Sequence, residues 1–132
     1  GRDMSYTKRV VVDSEFDETV ERVEDALADE GFGVLCDIDV QSTFAKKLEV
    51  EFEKYRILGA CNPALAHEGL QAEPDLGALL PCNVVVYESD DGVVVSAVDP
   101  TELIGVTEND DLDHIADDVA ERFDRVLDAV SE

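Results

Sequence analysis

Two of the chain's three cysteines stand beside a proline: Cys61 in "LGACNPALAHEGL" (58–70) and Cys82 in "LPCNVVVYE" (80–88). A thiol does chemistry as its thiolate, so surroundings that stabilise negative charge decide what a cysteine can do. Asn62 is a favoured helix N-cap, and Pro63 suits the first helical position, where its missing N–H costs nothing. Cys61 therefore lies just outside the positive end of a helix, where a thiolate is favoured. The same residues also read as a small buried cysteine beside a structural turn. His67, four residues beyond Pro63, is the one obvious base within reach of Cys61. Cys82 follows Pro81 at the start of a strand. With Cys61 as the attacking thiol and Cys82 as the resolving one, the pair would make a redox protein or thiol-dependent enzyme. With both lining a pocket, it would make a ligand-binding or sensing module. The 21-residue separation fits no zinc-ligand pattern and no histidine follows at ligand spacing, so no metal is expected. A lasting disulfide is disfavoured in a reducing cytoplasm. Cys36, in "GVLCDID", reads as a small core residue, and His114, among Asp110, Asp111, Asp113 and Asp117, as a partner in solvated ion pairs.

The elements that must position these residues follow from periodicity. A strand is predicted over 6–12. Ser14 is placed to cap a helix whose Phe16, Val20, Val23 and Leu27 recur at helical spacing, ended by Gly31 and Gly33. A second strand over 32–38 leads to Asp39, which can cap a short helix from 40 to about 47, with Phe44 and Leu48 facing inward. A third strand over 55–60 precedes the Asn62-Pro63 helix, which runs to about 72. Strands over 83–89 and 93–98 flank "SDDG" and form a hairpin whose turn uses the Asp91-Gly92 pair. Thr107 is placed to cap a long final helix with Leu112, Ile115, Val119, Phe123, Val126 and Val130 on one stripe. The hairpin and the one-sided apolar strands predict an α+β two-layer sandwich: a mostly antiparallel sheet with helices on one face.

Charge narrows the function. Asp and Glu number 33 against 10 Lys and Arg, a net of −23, yet the acids are interleaved with regular apolar residues as disordered acidic chains are not. A salt-adapted fold from an organism with a salt-rich cytoplasm accounts for both features. Residues 89–132 carry 14 acids and two arginines, a net of −12, which opposes contact with a phosphate backbone, so no nucleic acid partner is expected. Apolar runs fall far short of the roughly 20 residues a membrane-spanning helix needs. Residues 1–4 read as a vector remnant before a natural start at Met4 or as a disordered start, and 5–132 as one cytoplasmic domain.

Taken together, "YRILGACNPALAHEGLQAEPDLGALLPCNVVVYESDDGVVVSAVDP" (55–100) resembles the family called domain of unknown function 302. The likeness rests on the Leu-Gly-Ala-Cys-Asn-Pro turn, the Leu-Gly-x-Leu-Leu-Pro-Cys-Asn approach, the valine strand and Asp99-Pro100 closing the hairpin. Upstream, "EGFGVLCDIDVQSTFAKKL" (30–48) looks like the family's helix, strand and short helix. Two departures stand out. Cys36 replaces a more usual polar residue, and the acids of "LEVEFEKY" replace a shorter turn. The resemblance implies a sandwich with TATA-binding-protein-like topology, often dimeric and of unassigned activity. The chain looks like a haloarchaeal-type acidic member of that family. Cys61, Asn62, Pro63, Leu80, Pro81 and Cys82 fall at motif positions. The expectation is a homodimeric binding or sensing module with a small-ligand pocket near Cys61 and Cys82, of unknown cofactor. The alternative is the thiol-dependent protein.

Overall fold

Successive side chains of a strand point to opposite faces, and here one face of the sheet packs on helices while the other does not. In the computed structural model, residues 5–131 are described. The expectation for residues 1–4 therefore lies outside the described residues. In chain order the elements are β1 (Thr7–Val12), α1 (Phe16–Asp29), β2 (Gly33–Asp39), α2 (Val40–Leu48), β3 (Tyr55–Cys61), α3 (Pro63–Ala72), β4 (Cys82–Ser89), β5 (Gly92–Val98), α4 (Pro100–Gly105) and α5 (Asp113–Ser131). Short 3-10 turns, Pro74–Leu79 and Asp110–Leu112, precede β4 and α5. The five strands form one antiparallel sheet in the order β1-β5-β4-β3-β2. This is the expected α+β sandwich.

The core lies between one sheet face and the helices α1 and α5. Val84, Val86, Leu58 and Val95 point into it from the strands, and Val23, Leu27, Phe123 and Val126 from the helices, each no more than 1% exposed. Each such side chain contributes about 1.5–3 kcal/mol by leaving water. The stripes predicted for the two long helices are the ones buried: Phe16, Val20, Val23 and Leu27 in α1, and Ile115, Val119, Phe123, Val126 and Val130 in α5.

Four local expectations are corrected. Ser14 does not cap α1: the N-cap position is Glu15, without a side-chain cap, and the Ser14 hydroxyl accepts from Arg22 instead. The last helix starts at Asp113, not Thr107, because Asp99 caps an additional helix, α4, whose end the Thr107 hydroxyl satisfies by donating to the Ile104 carbonyl. Phe44 and Leu48 do not enter the core. Asp39 does cap α2, accepting from the Ser42 amide, but α2 buries no residue and Leu48 is 62% exposed. Its link to the sheet is a chain of rings, Phe44 to Phe52 to Tyr55 to Tyr87, with neighbouring centroids 5.1, 6.2 and 5.2 Å apart.

Cys36 is the fourth correction, and it has a clear cause. A register shift between Val34 and Cys36 inserts one residue, so Val34 pairs with Ala60 and Cys36 with Gly59. A one-residue slip transfers a side chain to the opposite face. Cys36 therefore leaves the core side and lies exposed above Gly59, where a Cβ would come within 2.6 Å of its Sγ and 2.7 Å of Pro81.

Candidate functional site

Two concavities matter most for a candidate site. The first contains the residues singled out by sequence. Cys82 lies directly across β3–β4 from Ala60, so Cys61 is the next residue along, and the two cysteines line one cleft with Asn62, Leu65, Leu80 and Ile115. The cleft holds about 30 Å³, room for about one or two waters. Pro63 and His67 are exposed on α3 outside it, and Pro81, half-buried after a cis peptide bond, packs beside Gly59 and Cys36 on the other face of the sheet, outside the cleft as well.

Asn62 has a full set of structural tasks. Its Oδ1 accepts from the Leu65 amide at 3.2 Å, capping α3, and Pro63 occupies the first turn. Its Nδ2 lies beside Gly31, where a Cβ would come within 3.0 Å of it and within 3.4 Å of Arg122 Nη1. Gly31, at φ +86°, closes α1 in the left-handed conformation that glycine tolerates. Arg122 donates to the Glu30 carbonyl at 2.7 Å and to Asp118 at 2.7 Å. The Asn-Pro turn thus starts α3 close to the end of α1, which Arg122 of α5 ties down.

Electrostatics separates the thiols. Burial, reinforced by nearby Cys61, pushes the Cys82 thiol up to about 11. At neutral pH it is protonated and a poor nucleophile. The folded state thereby favours the neutral thiol. That contribution is complete below the unfolded value of 9.0 and is lost as pH climbs to about 11, on the order of 2–3 kcal/mol in all. Wild type is therefore expected to lose denaturant stability at alkaline pH more steeply than Cys82→Ala. The difference isolates Cys82 from Tyr55, whose hydroxyl is also raised by burial and by the neighbouring Tyr87 and Tyr6. Equal alkaline slopes would mean that Cys82 is not desolvated as described.

A family model described as Domain of unknown function DUF302 matches residues 8–130. The chain belongs to this family. The crystal structure of an uncharacterized conserved protein DUF302 from Bacillus stearothermophilus is similar over 96% of this chain and 98% of that one, at 33% identity and a TM-score of 0.89. No curated protein matches the chain.

The second concavity of this DUF302 chain escaped the sequence reading. It lies on the sheet face that α1 and α5 leave open, and has a volume of about 650 Å³. Register assigns its rows: Arg9, Ser96, Val85 and Ile57 lie side by side across four strands, and Val11, Val94, Tyr87 and Tyr55 form the row beside them. Tyr55 and Tyr87 stack with centroids 5.2 Å apart and planes 9° from parallel. Of these rows Arg9, Ser96, Val85, Tyr87 and Tyr55 line the groove, together with Tyr6, Thr7, Asn83 and others. Neither row holds an acidic residue. The available signal was alternation: Thr7, Arg9, Tyr55, Asn83, Tyr87 and Ser96 each occupy the outward phase of a strand whose inward phase carries the buried Val, Leu and Ala side chains. Among the described residues, no three His, Cys, Asp or Glu side chains converge as a metal centre requires, and no helix is long and apolar enough to cross a membrane.

Proposed function

We propose that this DUF302 chain is a non-catalytic binding or sensing module that works as a homodimer in a salt-rich cytoplasm. The observation that carries this reading is the open-face groove, whose volume of about 650 Å³ falls within the range of small-molecule sites, about 300–1,000 Å³. The cleft at Cys61 and Cys82, flanked by Asn62, Pro63, His67 and Pro81, enters the proposal as a second, smaller site that admits a larger ligand only if α3 moves. The thiol-dependent alternative needs a base beside Cys61 and an ionisable Cys82. His67 lies outside the cleft, and burial keeps Cys82 protonated.

The dimer is proposed to form at the β2–α2 end. Leu35, Ile38, Leu48, Val50 and Phe52 there are 38–68% exposed, and β2 is an unpaired sheet edge. Over 46–54, Lys46, Lys47 and Lys54 offset Glu49, Glu51 and Glu53, so this segment has no net charge in a chain of −23. Two copies meet here with the least repulsion. Light scattering in molar potassium chloride is expected to give about twice the 14.4 kDa chain mass, and Leu48→Asp to return it to a single chain. A wild-type monomer at high protein concentration would end the dimer, and a Leu48→Asp dimer would move the interface elsewhere.

A further inference from the structure

Arginine is this protein's usual means of tying elements together. Arg22 bonds the Ser14 hydroxyl and the Val130 carbonyl, Arg56 pairs with Asp37, Arg122 with Asp118 and the Glu30 carbonyl, and Arg125 with Glu30. Arg9 is different: among the described residues its side chain has no hydrogen bond and no ion pair. It sits on the sheet face away from α1 and α5, where the central rows lack carboxylates although the chain has 33 acids. All three tyrosines of the chain, Tyr6, Tyr55 and Tyr87, line the same groove.

We propose that the open-face groove binds a small, planar organic carboxylate, with Arg9 holding the carboxylate and the stacked Tyr55–Tyr87 pair lying against its flat body. This rests on the binding-module reading above and specifies its ligand. A guanidinium fork matches a carboxylate in two parallel hydrogen bonds, and nothing else on these rows neutralises Arg9. Asn83 and Ser96 add neutral hydrogen-bonding groups beside it, and each tyrosine carries a hydroxyl that can donate or accept. A long polyanion is excluded, because it would have to run past the acidic remainder of the surface. A small anion meets only the groove.

The chain contains no tryptophan and its three tyrosines all lie in the groove, so the tyrosine ring signals in NMR spectra report on this site alone. The experiment is titration of the full chain in molar potassium chloride with benzoate and with its neutral analogue benzamide. Benzoate is expected to shift the Tyr55 and Tyr87 ring signals saturably and to bind at least about tenfold more tightly than benzamide, the discrimination expected of a charge-assisted hydrogen-bonded pair. Arg9→Gln is expected to bring benzoate down to the level of benzamide. Arg9 is exposed on an edge strand, and an otherwise unchanged spectrum of the variant verifies its fold. If both probes bind equally and Arg9→Gln changes neither, the carboxylate assignment is overturned while the groove survives as a binding site. If neither probe shifts the tyrosine signals, the groove is not a small-molecule site and both readings fall. The dimer remains a separate question, answered by the scattering experiment.

Discussion

In molar potassium chloride the protein is expected to melt at least about 15 °C higher than in dilute buffer, equivalent to about 4 kcal/mol for a domain of this size. The cause is self-repulsion. The chain carries −23, with 33 acids against 10 Lys and Arg, of which Lys8, Arg56, Arg122 and Arg125 form ion pairs with one acid each, so most carboxylates have like-charged neighbours and no cation in contact. Folding concentrates these charges on a small surface. Added salt shortens the Debye length from about 10 Å at 0.1 M to about 3 Å at 1 M, which removes most of that penalty. An opposing effect exists, since salt also weakens pairs such as Lys8–Asp124. Both partners there are more than 40% exposed, and such pairs contribute about 0–1 kcal/mol each. Repulsion summed over the whole surface outweighs them. Calorimetric scans across the salt range test this, and an unchanged melting temperature would show that the acids are not a salt adaptation.

Gly92→Ala is expected to cost about 3 kcal/mol or more, combining backbone strain of about 1–3 kcal/mol with overpacking of similar size. Gly92 follows the two-residue loop Asp90-Asp91 and pairs with Ser89 at the root of the hairpin. Its φ of +136° is a conformation that side-chain-bearing residues rarely adopt. A Cβ there would lie 2.6 Å from the Val12 carbonyl oxygen and 3.2 Å from Val11 Cγ1. The first obstacle is backbone of the neighbouring edge strand and cannot rotate away, so β1 has to separate from β5. Gly33→Ala is the control: with nothing within 4 Å of its Cβ position, it is expected to change stability by less than about 1 kcal/mol. Urea midpoints of the two variants give the comparison. Equal, small losses would mean that the β5 root relaxes freely and that the close approach to β1 is not a constraint.

The hairpin marks a boundary of what was legible. "SDDG" between two valine runs predicts the turn, and the turn is there. The reason for the glycine differs from the expected one: the left-handed demand falls on Gly92 alone, beside another strand, and not on an Asp-Gly turn pair. The Asn62-Pro63 start of α3 was legible because capping is a local interaction spanning three residues. Asp99-Pro100 carries the same signature and begins α4, yet it reads as the end of the hairpin when strands are traced first. Cys36 could not be placed, since the inserted residue that turns it outward depends on pairing with β3.

By itself the sequence determined the order and type of the main elements, the apolar stripes of α1 and α5, the caps at Asp39 and Asn62, and the acidity of the surface. All of these depend on composition or on residues within a turn or two of one another. Tertiary structure alone decided that Cys61 and Cys82 share a cleft with room for little more than water, that His67 stands outside it, and that Arg9 meets Tyr6, Tyr55 and Tyr87 on one acid-free face. Those residues lie on four different segments of the chain. Alternation assigns Arg9, Tyr55 and Tyr87 to a face of their own strands, but only the strand order β1-β5-β4-β3-β2 makes those faces neighbours.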